Sequence, residues 1–339
     1  PALLPDLTRA LAGLTLPTRL YGEPAALPEL TQLAGEQLRA DGVPCESLCV
    51  VSGALDGIER VLEAHLRPGD HVAVENPGYA ALFDLLRARG LLLEPVAVDD
   101  HGMRPEALKA ALGRGASAVI ITPRGQNPTG AVLDGPRARE LQLVLGDAPQ
   151  TLVIEDDHLG LLGGGELHTT VAGLSRWAAT RSVSKALGPD LRLAILAGDP
   201  QTLARVQGRQ QCGPGWVSHI LQRLVLNLWK DRGVKQLIRR ASATYGERRE
   251  GFLQQLRERG VVASGASGLN VWVAVAEETG AVGALLQRGW VVSPGAPYRL
   301  PGSSPAIRVT IATLEAREAE RLAADLADVL AEDSMSRSG

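Results

Sequence analysis

The sequence predicts an α/β protein in which helices cover a mostly parallel sheet, followed by a smaller α+β domain. Three observations lead there. Short apolar runs alternate with helix-period segments from residue 28 to residue 197, the order produced by parallel strands joined through covering helices. Beyond Leu203 the pattern changes to long amphipathic stretches with few strands between them. A chain of 339 residues, 45% of them hydrophobic, is also long enough for a large core and more than one domain.

The elements follow in order. Residues 28–39 have helical spacing, which Gly42 and Pro44 break. Residues 48–52 are a strand candidate, and Gly53 separates them from an apolar-periodic stretch that runs to Leu66. Gly69 and Asp70 turn the chain into a strand at 71–75. Asn76-Pro77-Gly78 turns it again, and 79–89 reads as a helix. Further short strands are expected at 91–98, 118–122, 151–154, 177–180 and 193–197. In the second part, 220–229 and 234–257 read as long helices, the latter crowded with arginine and glutamate on its polar side. A strand at 270–276, a helix at 282–288, strands at 290–293 and 306–311 and a closing helix at 315–330 complete the series. The polar tail after Glu332 is expected to fray. The large domain is expected over 21–215 and the small one over 216–339, joined by the N-terminal segment 1–20.

Lys plus Arg numbers 35 against 38 for Asp plus Glu, a formal charge of -3. That balance argues against a surface devoted to a phosphate backbone, so no nucleic-acid partner is expected through this chain. Cys45, Cys49 and Cys212 are too few for a disulfide framework and fit a reducing, cytoplasmic compartment. Cys45 and Cys49 lack the companion ligands of a zinc site, and no metal is expected. No apolar run is long enough to cross a bilayer, no membrane partner is expected, and the start shows no signal segment. The chain opens on Pro1 rather than Met. The expectation is a processed product, an engineered form or the surviving part of a longer protein.

Four segments carry chemistry. Arg181-Ser182-Val183-Ser184-Lys185 follows a strand candidate and is expected to form a loop rich in small polar residues, with Arg192 close behind. A lysine among hydroxyls beside an arginine suits a Schiff base next to an anion site, although most lysines are solvated surface groups. Ser52-Gly53-Ala54 lies between a strand and a helix, where free backbone N–H groups and the helix dipole hold a phosphate. Glu155-Asp156-Asp157 follows directly on the strand 151–154. A carboxylate at that place can keep a pyridine nitrogen protonated, and it can equally cap a helix or form a turn. Asn127-Pro128-Thr129-Gly130 is a turn whose asparagine can donate to a phenolic oxygen, or simply a turn. Together these are the requirements of a pyridine aldehyde phosphate.

In this order and spacing, with Asn76-Pro77-Gly78-Tyr79 among them, the segments resemble class I/II aminotransferases over nearly the whole chain. More narrowly, Tyr21-Gly22-Glu23-Pro24, Glu155-Asp156-Asp157 and Leu237-Ile238-Arg239-Arg240 with Tyr245, Arg248 and Arg249 resemble the aminotransferase-like domain of MocR-type regulators. Those regulators carry a GntR-type DNA-binding domain ahead of it, and this chain begins close to where a linker would end. The resemblance implies the fold type I architecture of pyridoxal-5'-phosphate (PLP) proteins, with a seven-stranded-type sheet, and a two-fold homodimer with composite sites.

It also implies roles. Lys185 would bind PLP covalently and shuttle a proton, Asp156 would pair with the pyridine nitrogen, Asn127 with the ring hydroxyl, and Tyr79 would stack on the ring. Ser52, Gly53, Ala54, Ser182, Ser184 and Arg192 would surround the phosphate, with Tyr21 reaching the phosphate of the neighbouring subunit. Arg308 would clamp the substrate carboxylate through its planar fork. Arg124 is open between a pocket residue and a solvated one, and Trp216, Trp229 and Trp290 are expected in packing or the dimer contact. One departure stands out: His158 occupies the position where these regulators usually have a tyrosine that donates to the ring oxygen. The run Leu162-Gly163-Gly164-Gly165-Glu166 is expected to be a mobile loop near the cleft. Two functions follow from the resemblance. The first is an aminotransferase acting on an α-amino acid and a 2-oxo acid. The second is an effector-sensing domain of a regulator.

Overall fold

The computed structural model describes residues 3–164 and 166–336. The chain opens with α1 (Leu7–Ala12), capped by the Asp6 carboxylate, and α2 (Pro28–Ala40), which starts on a proline. Then come β1 (Leu48–Val51), α3 (Ala54–His65), β2 (His71–Asn76), α4 (Ala80–Ala88), β3 (Leu92–Asp99), β4 (Gly102–Met103) and α5 (Pro105–Gly113). They are followed by β5 (Ala118–Ile121), α6 (Gly135–Gly146), β6 (Leu152–Asp157), β7 (Trp177–Ser182), α7 (Ser184–Leu187) and β8 (Ala194–Gly198).

These strands make one sheet in the order β1-β8-β7-β6-β5-β2-β3-β4. From β7 to β3 all neighbours are parallel, β8 runs antiparallel to both β1 and β7, and β4 is a two-residue antiparallel addition. The expected seven-stranded, mostly parallel sheet is thus present, with β4 as its extra edge. Alternate residues feed two cores, because strand side chains point to opposite faces. Ala73, Val119, Ile121 and Val153 pack on one face, and Val72, Val74, Ala118, Ile120, Leu152 and Ile154 on the other. Every residue of β5 and β6 is buried, as a strand covered on both sides requires.

After α8 (Pro200–Gln211), α9 (His219–Lys230) and α10 (Arg232–Glu258) come β9 (Ala263–Ser264), β10 (Asn270–Ala274), α11 (Glu278–Gln287), β11 (Ser293–Pro294), β12 (Ala306–Thr310) and α12 (Ala316–Ser336). The strands form a second, antiparallel sheet in the order β11-β12-β10-β9. Phe252 and Leu256 of α10 and Leu322 and Leu326 of α12 pack on Val271, Val273, Ile307 and Val309. Core membership changes within α10, since Ile238 and Ala241 pack with the large sheet. So do Leu224, Val225, Leu228 and Trp229 of α9, and the larger core therefore continues past residue 216. The two bodies dock through the turn after β2. The Asn76 amide accepts from the Leu300 N–H at 2.9 Å and donates to the carbonyls of Leu300 and Pro301, while Gly78 N–H donates to Tyr298 O at 2.8 Å.

Four local differences from the sequence reading have physical causes. β6 runs on through Glu155, Asp156 and Asp157, so these acids lie within the strand instead of after it; pairing with β7 reaches Asp157 and Arg181. Lys185 sits on the single turn α7, not in an irregular loop. Residues 290–292 do not pair: Trp290 turns away, its Nε1–H donating to Asp325 Oδ2 at 2.6 Å and its ring stacked by Arg321. Helix α12 continues through Ser336, and the rest of the expected fraying tail, 337–339, lies outside the described residues. Gly165 of the glycine run lies outside them too. Beside it, Leu162 is buried in a single helical turn, and a Cβ on Gly163 would lie 2.3 Å from Arg124 Nε. Among the described residues no helix is long and apolar enough to cross a membrane.

Candidate active site

In an open parallel sheet the strand ends on one side converge, and ligands bind in the crevice beyond them. Here a cavity of about 320 Å³ lies at that edge, closed from the other side by β10 and β12 of the small sheet. It is lined by Ala54, Tyr79, Asn127, Asp156, His158, Ser182, Ser184, Lys185, Arg192 and Arg308. Most residues singled out from the sequence are therefore brought together, from positions at or just beyond the ends of β1, β2, β5, β6 and β7, from the segment ahead of β8 and from β12. Ser52 and Gly53 lie at the margin. Gly53 caps α3 with φ +108°, and a Cβ there would lie 3.0 Å from Arg192 Nη2. The backbone thus favours glycine here, and any side chain would crowd the guanidinium. Ser52 is exposed, and its N–H donates to Asp56 Oδ2 at 2.8 Å. Tyr21 is not in the cavity of its own chain: it is 93% exposed and meets Trp216 edge-on at 5.8 Å.

The acids and bases differ in how fully the protein satisfies them. Asp156 is buried and accepts from Thr180 Oγ1 at 3.0 Å. Burial pushes its pKa up, while the neighbouring His158 and the Thr180 hydroxyl act in the opposite direction. Burial pushes the His158 imidazole down; the Asp156 carboxylate opposes this and the Lys185 charge reinforces it. Burial also raises the Tyr79 phenol, as does Asp156. Lys185 is exposed in the cavity, and among the described residues no carboxylate pairs with it. Arg308 donates to Asn127 Oδ1 at 3.1 Å and lies 4.8 Å over the Tyr298 ring. Its Nε is buried without a partner, and it too has no carboxylate partner among the described residues. Ser184 Oγ donates to Leu191 O at 2.9 Å, which ties the α7 turn to the segment carrying Arg192.

Arg124, left open by its residue type, is neither in the pocket nor solvated. It is buried and forks onto Asp157 at 2.9 Å through both Nε and Nη2, with Nη2 also donating to Gly160 O. Trp229 is fully buried in the large core, whereas Trp216 is 36% exposed beside Tyr21.

Sequence reasoning missed Thr122, Asn270 and Thr310, which also line the cavity. Thr310 shares the face of β12 with Arg308 by two-residue periodicity, and its hydroxyl donates to Asn270 Oδ1 at 3.0 Å. That spacing was a usable signal. Thr122 gave none, since its position depends on the buried Glu75, whose carboxylate accepts from the Thr122 N–H and hydroxyl and from Gln126.

With this geometry in place, comparison with known proteins is specific. The chain is 40% identical to the vitamin B6 salvage pathway transcriptional repressor PtsJ of Salmonella typhimurium over 332 residues, 97% of this chain and 77% of the repressor. It is 29% identical to the aminotransferase tdiD of Emericella nidulans over 251 residues, 67% of this chain and 57% of that protein. In fold it resembles LysN, an α-aminoadipate aminotransferase from Thermus thermophilus solved with N-(5'-phosphopyridoxyl)-L-leucine, with a TM-score of 0.81 and 24% identity, covering 92% of this chain and 84% of that one. The family model for aminotransferase class I and II matches residues 4–326. The chain belongs to the class I and II aminotransferase family.

Proposed function

We propose that the cavity binds PLP and that the protein transfers an amino group between an α-amino acid and a 2-oxo acid. One observation carries the reading. Lys185, Asp156, Asn127 and Arg308 converge on a single cavity in which, among the described residues, Asp156 has no arginine or lysine partner and Arg308 no carboxylate partner. A buried carboxylate satisfied by one hydroxyl is left for the cationic ring nitrogen of a cofactor, and a guanidinium with an unpartnered nitrogen is left for the carboxylate of its substrate. The donor set therefore fits the cofactor.

When bound, PLP supplies an electron-withdrawing pyridine ring that takes up charge from the substrate α-carbon. In this reading Lys185 Nζ attaches the cofactor and then moves the proton at the α-carbon. The Asp156 carboxylate holds a proton at the ring nitrogen. Asn127 and His158 would hold the ring oxygen, and Tyr79 would hold the pyridine ring. The N-terminus of α3 at Ser52, Gly53 and Ala54, together with Ser182, Ser184 and Arg192, holds the phosphate. Arg308 forks the substrate carboxylate. Exposed Leu20, Tyr21 and Ile220 suit a two-fold dimer in which Tyr21 completes the partner's phosphate site. The free Cys45, Cys49 and Cys212 suit a cytoplasmic setting.

A second reading rests on the 40% identity to a repressor: the same site would detect an amino compound without turning it over. Adding a panel of amino acids to the PLP-loaded protein separates the two. Release of a 2-oxo acid with a matching change in the visible spectrum supports transfer. A spectral change without 2-oxo acid overturns transfer in favour of sensing, and no change with any amino acid overturns both.

A further inference from the structure

Arg19, Arg249, Arg299 and Arg308 each carry a buried guanidinium Nε that meets no hydrogen-bond partner among the described residues. Arg19 and Arg299 nevertheless pair with Glu23 and Glu278. Among the described residues Arg249 and Arg308 have no carboxylate partner at all. Arg308 lines the cavity assigned above, but Arg249 lines another, of about 350 Å³, between the large and small bodies. Ser242, Tyr245 and Gly246 of α10 form one side, Ser267 to Leu269 a second, and Leu162 to Gly164 a third. Leu159 and Leu269 line both cavities, so the two share a wall.

Arg249 belongs to the segment with Tyr245 and Arg248 that the amino-transfer reading leaves unused. Arg248 is committed to Glu315 and the Ala312 carbonyl, whereas among the described residues the one hydrogen bond of the Arg249 side chain goes to Gly268 O at 3.2 Å. Burial without a partner acid pulls the Arg249 pKa down, opposed by the charge of Glu250. Desolvating a guanidinium in this way is costly, and an incoming anion would offset the cost. Among the described residues the one carboxylate lining the cavity, Glu166, has a side chain 82% exposed, where solvent and salt screen it. Leu159, Leu162 and Val132 give the remaining wall an apolar character.

We infer that this cavity is a second binding site, for a small organic carboxylate whose anionic end pairs with Arg249 and whose apolar body lies against Leu159, Leu162 and Leu269. Occupancy would press on the wall shared with the first cavity. The inference stands independently of the chemistry at Lys185.

Calorimetry on the full chain loaded with PLP tests it, with benzoate and inorganic phosphate as probes. Arg308→Met silences carboxylate binding in the first cavity, and Arg249→Met is added to it. Gly246→Leu is a second route, because a Cβ at Gly246 meets nothing within 4 Å and leucine suits a helix better by about 1 kcal/mol. It therefore blocks the cavity without removing a contact, and keeps the question open to test if Arg249→Met fails to fold. The expected result is benzoate binding to the Arg308→Met protein, weakened at least about tenfold by either added change. No benzoate binding to that protein, or binding unchanged by both additions, would overturn the site. Phosphate bound more tightly than benzoate, with the same dependence on Arg249, would overturn the organic carboxylate as its ligand.

Discussion

Asp156 and Asp157 are consecutive buried residues of one strand, and the two faces of β6 treat them oppositely. Parallel pairing with β7 sets Asp156 beside Thr180 and Asp157 beside Arg181. On the Asp157 face, Arg181 pairs with both Asp157 and Asp41, and Arg124 forks onto Asp157. Burial alone would raise the Asp157 pKa, but these two guanidinium groups hold it below the usual carboxylate range. On the Asp156 face there is one hydroxyl, a histidine and a cavity. Structural charge separates from candidate functional charge on this basis: an acid whose partners all come from the protein holds the fold, and one with a single neutral donor beside a cavity is free to meet a ligand. The same contrast separates Arg124 from Arg308.

The largest effect is expected on the structural face. Asp157→Ala strands two buried arginines, and should cost about 3–5 kcal/mol in urea unfolding. A loss below about 1 kcal/mol would erase the distinction between the faces.

Glu75 is an intermediate case, buried yet satisfied, among the described residues, only by the neutral groups of Thr122 and Gln126. Burial pushes its pKa up from 4.5 to about 7. Between those values the unfolded chain has released its proton while the folded chain retains it, so stability is greatest below the lower value and falls as pH rises through the higher one. Wild type should therefore lose about 3 kcal/mol relative to Glu75→Gln over this range. Parallel stability-versus-pH curves for the two proteins would remove Glu75 from the comparison.

On the functional face, Arg308→Met is expected to weaken carboxylate substrates about ten- to a hundredfold while PLP is retained, the loss of charged hydrogen bonds worth about 1.5–3 kcal/mol. Equal substrate affinity in titrations of both proteins would count against the clamp. The smallest stability effect belongs to Asp156→Asn, under about 1 kcal/mol, since the amide can still accept from Thr180 and no longer bears a buried charge. PLP retention should fall in the same variant. Retention at the wild-type level would mean that nothing at the ring depends on this carboxylate.

The fold was largely legible because a parallel sheet covered on both sides writes its strands as short apolar runs, as at Ala118–Ile121. Helices α5, α6 and α8 went unread although each starts beside a proline, at Pro105, Pro136 and Pro200, which marks a first helical turn. The site was legible where a residue sits at a strand end with a telling neighbour, as Lys185 and Asn127 do. It was illegible where a role comes from packing. Nothing local to Arg124 shows that Asp157 captures it, nothing in the sequence of α10 shows that Arg249 meets no acid among the described residues, and the extension of β6 to Asp157 depends on its partner strand.

Few lysines compete for the central assignment. Lys109, Lys185, Lys230 and Lys235 are the chain's lysines, so covalent attachment can be mapped without ambiguity. The protein would be incubated with PLP, reduced with borohydride, digested and sequenced by mass spectrometry. The predicted result is a pyridoxyl group on Lys185, with the visible absorbance band absent in Lys185→Ala. Labelling spread equally over Lys109, Lys230 and Lys235, or an unchanged band in Lys185→Ala, would contradict the assignment of this cavity to PLP.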